Sequence, residues 1–168
     1  MRKEKTERGT TRPMNLQLFA ETKSGVYPCY ENQFQINTSD SAAEENMESI
    51  ADCETFAVSI DNGTEEWHPF EGGGWVSRLM TSKSLTITVT AKRNVGDPGN
   101  DYVAGKAWKN GRNAEANFQW TFPDGSTVKL KNAVINVTNI GAGDSTSVAP
   151  LEFEVMSNGK PEFTNASV

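Results

Sequence analysis

The chain has 168 residues, with 36% hydrophobic and 23% charged side chains and a net charge of −6; that is enough for one domain with a core, and polar enough to suit short, half-wetted strands. No apolar run nears the roughly 20 residues that a bilayer-crossing helix needs. The first twelve residues carry +3 and the remainder −9, and an acidic body argues against a grip on nucleic acid through Lys and Arg phosphate contacts, though not against a surface that DNA slides past.

Residues 1–32 read as a polar N-terminal arm whose apolar cluster is Leu16, Leu18 and Phe19; such arms stay loose unless docked. The basic opening is followed by too short an apolar stretch for a signal peptide, so synthesis in a cytoplasm is expected. The string MNLQLFAE from Met14 is similar to the opening of structural proteins from phages of Gram-positive bacteria, a resemblance that implies translation from Met14 and the expectation that residues 1–13 are a mis-assigned extension. Cys29 and Cys53 stand 24 positions apart without a C-x-x-C pattern and read as idle thiols.

The main domain is expected over residues 33–160. Gln33 to Asn37 alternates, with Phe34 and Ile36 on one side, as a half-buried strand does. Residues 38–53 are acidic and Ala-rich; Ser41 and Glu44 have capping-box spacing, so a short surface helix and an acidic loop are equal alternatives. From Glu54 to Asp61, Phe56, Val58 and Ile60 share a face. Asp61-Asn62-Gly63 then supplies residues that tolerate left-handed backbone, which predicts a turn there. Residues 64–83, with Trp67, Pro69, Phe70, Gly72-Gly73-Gly74 and Trp75, read as a long loop. Loops of that length usually serve a purpose, and exposed aromatics mark binding surfaces, unless the rings fold back onto the core.

Ser84 to Ala91 is the clearest strand, with Leu85, Ile87, Val89 and Ala91 opposite Thr86, Thr88 and Thr90. Asp97-Pro98 opens a helix as N-cap and first-turn proline, and Asn110-Gly111 is expected to stop it. Tyr102, Val103, Ala107 and Trp108 are its expected buried side. Asn117 to Phe122 and the strand from Thr127 form a hairpin around Pro123-Asp124-Gly125-Ser126. In its second strand Val128 and Leu130 have one parity and Ile135 and Val137 the other, which predicts a bulge near Asn132 to Val134. Leu151 to Met156 is a last strand with Glu152 and Glu154 on its polar face. The tail from Ser157 is expected to be a turn followed by a loose end at 161–168. Six or more short strands with one helix predict a mainly β fold: an antiparallel β-sandwich or barrel with one short flanking α-helix, a long loop and an N-terminal arm.

No reacting centre is legible. His68 is the sole histidine and lies in the Gly-rich loop, so a catalytic triad would rest on that residue alone; the expectation is a non-enzyme without cofactor or metal. Asp97, Asn100 and Asp101 could ligate calcium, but the twelve-residue ligand loop is missing and helix capping accounts for them. Gly72-Gly73-Gly74 lacks the G-K-[ST] ending of a phosphate loop and reads as a hinge. Two classes of function remain: a self-assembling subunit whose sheet edges pair with neighbours, and a β-sandwich carbohydrate-binding or adhesion module stacking sugars on Trp67 and Trp75.

Four segments carry a resemblance over residues 54–160: the ETFAVSID strand, the W-x-P-x-E-G-G-G-W loop, the TSKSLTITVTAKR strand and the GDPGNDYVAGKAW helix. Together the chain resembles the major tail tube proteins of long-tailed (siphovirus-type) bacteriophages of Gram-positive hosts. The resemblance implies a homohexameric ring, stacked into a hollow tube in the virion tail, through which the genome leaves. It implies tape-measure, tail terminator and baseplate partners, with DNA passing without specific binding. On that expectation Trp67, Pro69, Phe70, Gly73 and Trp75 form the inter-ring loop, Asp97, Pro98, Tyr102 and Trp108 the helix cap and flank, and Glu152 and Glu154 the lumen lining.

Overall fold

The structure, a computed structural model, describes residues 25–39 and 45–166. The arm's Leu16, Leu18 and Phe19, the start at Met14, and the Ser41/Glu44 spacing lie outside the described residues. Among the described residues, eight strands form one antiparallel sheet: β1 (Gln33–Asn37), β2 (Met47–Ser49), β3 (Cys53–Trp67), β4 (Ser77–Lys92), β5 (Glu115–Thr121), β6 (Thr127–Asn139), β7 (Pro150–Met156) and β8 (Glu162–Thr164), with one α-helix, α1 (Pro98–Lys106). Their order is β2-β1-β5-β6-β7-β4-β3, and β8 pairs with β6.

The bend in β6 turns this sheet into a sandwich. Its first half pairs with β5 from Thr121↔Thr127 to Glu115↔Val134, and its second half pairs with β7 from Val134↔Met156 to Asn139↔Glu152. Between them Asn132 has φ of 49°, a left-handed conformation that asparagine tolerates better than most residues. Burial accordingly switches parity from Val128 and Leu130 to Ala133 and Ile135, as the alternation predicted. The far end of the sheet then folds back over its beginning. Phe56 of β3 packs edge-on against Phe34 of β1 and Trp120 of β5, with ring centroids 5.0 and 5.7 Å apart, a geometry aromatic rings favour. Ile36, Ile87, Val89, Phe118, Leu130, Leu151, Phe153 and Val155 fill the space between the layers; each stabilises the fold by about 1.5–3 kcal/mol relative to exposure.

Several sequence expectations need correcting. The acidic stretch before Cys53 ends in the short strand β2, bonded to β1 from Gln35↔Ser49 to Asn37↔Met47. The tail from Ser157 contributes β8, because Phe163 can pack on Phe122 while Glu162 reaches Lys131. Asp61-Asn62-Gly63 makes no turn; Asn62 and Gly63 pair with Lys83 and Ser82 inside a continuous hairpin. The helix ends at Lys106, four residues before Asn110. Its buried residues are Gly99, Asn100, Val103, Ala104 and Lys106, whereas Trp108 is 77% exposed and Tyr102 half-buried. Helical spacing alone placed Trp108 inward, but the chain has left the helix before reaching it.

The helix start follows expectation. Asp97 caps α1 by accepting the Asn100 backbone N–H at 2.8 Å, with Pro98 in the first turn. Gly99 is required for packing rather than for backbone freedom, since a Cβ there would overlap the Ser49 carbonyl oxygen. Asn100 is fully buried. Its Oδ1 accepts from the Arg93 guanidinium (2.8 Å) and the Asn94 backbone N–H (3.1 Å), while its amide donates to the carbonyls of Lys92 (2.8 Å) and Ala51 (3.3 Å). One side chain thereby ties the helix to the end of β4 and to the turn before β3, satisfying groups that burial would otherwise leave unpaired. Cys53 donates its thiol to the Ile50 carbonyl, and burial pushes that thiol up to about 11, which keeps it a poor nucleophile.

Candidate functional site

Among the described residues, the β6-β7-β4-β3 layer leaves two strand edges and one projecting hairpin without partners in a single copy. β3 pairs with β4 alone among the described residues, so its outer edge is open from Cys53 to Trp67. On the other side of the same four-stranded layer (β6-β7-β4-β3), β5 stops pairing with β6 at Val134, and the stretch from Ile135 to Asn139 has β7 on one side only. Open edges of this kind template pairing with another chain unless something covers them.

The hairpin arises because β3 and β4 are longer than their neighbours. β7 accompanies β4 from Lys92 only as far as Thr86, with Leu85 bonded to Ser157 just beyond. Beyond that point β3 and β4 run on together to Trp67↔Ser77, with a bulge after Gly63. The tip turns through a short 3-10 segment, Phe70–Gly72, followed by Gly73 (φ 56°) and Gly74 (φ 90°), where glycine escapes the Cβ clash of left-handed backbone. The predicted loop is thus a two-stranded arm with a small tip. Its apolar side chains do not fold back on the core: Phe70 is 104% and Trp75 78% exposed, and Ile60, Trp67, Leu79 and Met80 are also exposed. Monomeric proteins rarely expose contiguous apolar surface like this without using it. Among the predicted site residues, the arm gathers Trp67, Pro69, Phe70, Gly73 and Trp75, and Asp97 and Pro98 sit elsewhere, at the helix start.

The outward face of the four-stranded layer is polar and small. Thr86, Thr88 and Thr90 of β4 stand beside Glu154 and Glu152 of β7 in register, with Ala57 and Ser59 on β3. Asn136 donates to the Glu154 carboxylate at 3.0 Å, and Thr138 to the Glu152 carbonyl at 3.1 Å. Glu54 pairs with Lys92 at 3.1 Å at the lower border. Lys129 and Lys131 belong to the other layer, where they pair with Glu45 (2.6 Å) and Glu162 (2.7 Å). The acidic groups near α1 are engaged in capping and pairing: Asp97 accepts from the Ala51 and Asn100 backbones, and Asp101 from Arg93 and the Gly96 N–H. The Arg93 hydrogen bond lowers the Asp101 carboxyl below its usual range, with the Gly96 N–H helping.

Sequence reasoning missed the open β3 edge and the length of the arm. The two-residue alternation of Val58 and Ile60 toward Thr64 held the signal, masked by Asn62-Gly63.

No protein-family profile and no curated protein matches the sequence. Among solved structures the chain is similar to a chain of the tail of an empty gene transfer agent (GTA) particle with C6 symmetry, at 22% identity and a TM-score of 0.63, covering 83% of this chain and 99% of that one. The virion of a native gene transfer agent particle gives 21% identity, a TM-score of 0.63, and the same coverage. A chain of an extracellular contractile injection system, from its PVC sheath-tube complex in the extended state, gives 16% identity and a TM-score of 0.56, over 84% of this chain and 93% of that one. The chain therefore shares its fold with subunits of particle tails and of an injection-system sheath-tube complex.

Proposed function

We propose that the chain is a phage-type tail tube subunit, a structural and non-enzymatic virion protein whose copies close into hexameric rings that stack into a hollow tube for genome passage into a host. The observation that carries this reading is the pair of open edges on opposite borders of one layer. Pairing β3 of one copy with the free stretch of β6 of the next continues the sheet, and the contact is head-to-tail, so it closes a ring when the rotation divides a full turn evenly. Six copies, the symmetry of the similar GTA tail, would each give four strands to a single closed barrel, which abolishes the open edges of that layer. The polar face carrying Glu152 and Glu154 then lines the lumen. A negative lining repels phosphate, so DNA meets no deep electrostatic trap as it passes.

The projecting arm reaches the adjoining ring, with Trp67, Phe70 and Trp75 buried between copies. The resemblance of residues 54–160 to tube proteins of long-tailed phages of Gram-positive hosts supports a virion tail made from subunits synthesised in the host cytoplasm. It also supports tape-measure, terminator and baseplate proteins as partners.

Electron microscopy of concentrated protein, with its mass in solution, tests the reading: rings or tubes are expected. A monomer at every concentration that binds glycans would overturn it in favour of a sugar-binding module. Trp75→Ala is expected to leave the subunit soluble and impair stacking, and unchanged tubes from that variant would refute the role of the arm.

A further inference from the structure

The open edge of β3 carries apolar side chains that one copy does not cover. Val58 and Ile60 have the inward parity of Phe56, yet both are exposed, Ile60 by 59%. At the other border of the layer Val137, of the same parity as the buried Ile135, is half-buried, and Ile140 just beyond β6 is exposed.

Backbone groups decide which residues can meet across the two borders. Leu85 accepts from the Ser157 N–H at 2.8 Å and donates its own N–H to the Ser157 hydroxyl at 3.0 Å, so both of its main-chain groups point to the β7 side. Such groups alternate sides along an antiparallel strand. Followed through the registers, that alternation turns the free N–H and C=O of Val58 and Ile60 on β3, and of Ile135 and Val137 on β6, outward from the layer. β3 and β6 also run in opposite directions, because three antiparallel pairings separate them. A neighbour's β6 therefore meets β3 antiparallel, apolar row against apolar row.

Chirality sets the direction of slip between them. Leu85 packs on the core; seen from that side, with β3 running up toward the arm, the L configuration puts β7 to the left of β4 and β3 to the right. Sheet twist tilts the strands of a closed barrel to the right as seen from outside. Copies at equal height in a ring then place each neighbour's β6 further along β3 toward the arm than the row of paired residues that it continues.

Tilt sets the size of the slip. Strands stand about 4.8 Å apart and rise about 3.3 Å per residue, so with four strands per copy slips of about two, four and six residues tilt the barrel by about 19°, 35° and 46°, where closed barrels typically have about 35–45°. Odd slips would turn side chains to the wrong face. Burial separates the remaining two. Without slip the neighbour's Val137 continues the row of Phe153, Val89 and Phe56; the slip of about four brings it to Ile60, with Ile140 beside Val58, whereas six brings it to the polar Asn62.

We infer that ring closure sets Val137 of one copy opposite Ile60 of the next, with Asn136 opposite Asp61 on the lumen face. The inference rests on the ring reading and adds its register.

Disulfide mapping in assembled rings tests it, in a full chain with Cys29→Ser and Cys53→Ser and with oxidised glutathione as the oxidant. Asp61→Cys with Asn136→Cys should give a ladder of covalent multimers on a non-reducing gel, at least about fivefold more than Ala57→Cys with Asn136→Cys or Ser59→Cys with Asn136→Cys, because a disulfide needs Cα atoms within about 7 Å. Ile60→Ser should leave the unfolding curve of the dissociated subunit unchanged and raise the concentration needed for rings by at least about tenfold. More crosslinking at Ala57 or Ser59 than at Asp61, or an unchanged threshold in Ile60→Ser, would overturn the register. Should a cysteine pair prevent assembly, electron cryomicroscopy of natural rings reads the residue opposite Asn136 directly, and any residue but Asp61 refutes the inference. Failure of the natural chain to form rings at any concentration would instead refute the ring reading.

Discussion

Replacing Asn100 by alanine removes four hydrogen bonds at once from a position with no exposure. A neutral intramolecular hydrogen bond contributes about 1 kcal/mol net, and leaving a buried partner unsatisfied costs more. The Asn94 N–H and the Lys92 and Ala51 carbonyls each lose this partner, while Arg93 keeps Asp101 and the Asn94 carbonyl. The expected loss is about 3–4 kcal/mol, a large share of the roughly 5–15 kcal/mol that holds a domain folded, or a fall in Tm of roughly 10 °C. Urea unfolding of the dissociated subunit measures it, with an unchanged slope expected because the core is intact. Asn100→Asp separates the two halves of the network: it keeps the acceptor toward Arg93 but sets a carboxylate against the Lys92 and Ala51 carbonyls, so it too should destabilise by at least about 2 kcal/mol. Asn94→Ala, which removes only an exposed bond to Asp52, should cost under about 1 kcal/mol. A loss below about 1 kcal/mol in Asn100→Ala would refute the idea that this side chain clamps helix, strand and turn together.

Gly99→Ala should destabilise by roughly 1–3 kcal/mol in the same assay, because the added methyl meets the Ser49 backbone; helix propensity alone gives the opposite sign, a gain of about 1 kcal/mol, so a stabilised variant would refute the close contact. Glu152→Lys with Glu154→Lys should still assemble but retain DNA in a salt-dependent way, measured by co-sedimentation with single- and double-stranded DNA; no retention at low salt would count against a lumen on that face. The Asp101 carboxyl, lowered chiefly by its hydrogen bond from Arg93, contributes stability that is present above its unfolded pKa of about 4 and is lost as pH falls through its lower folded value. Asp101→Asn should therefore lower stability near pH 7 and flatten the acid limb of the stability profile, the two chains converging as pH falls below about 4; an identical profile at both ends would show that the pair is not formed.

The sequence by itself determined the parts that depend on local chemistry. Two-residue alternation gave β1, the inner half of β4, the β5-β6 hairpin and β7, since on half-buried strands burial follows parity. Asp97-Pro98 gave the start of α1, and the parity change around Asn132 gave the bend that makes two layers from one sheet. Only the tertiary structure decided where strands end relative to their neighbours. Asn62-Gly63 is a turn by local preference, yet the ladder between β3 and β4 carries the chain straight through it, because each flanking residue already has a bonded partner across the strand. Val58 and Ile60 share a face with Phe56 by their spacing, yet the fold leaves both exposed while Phe56 packs on Phe34 and Trp120. The same difference in strand length leaves a projecting arm and, among the described residues, two open edges on one layer, because where a strand outruns its neighbour is set by the pairing of distant segments and not by any local pattern.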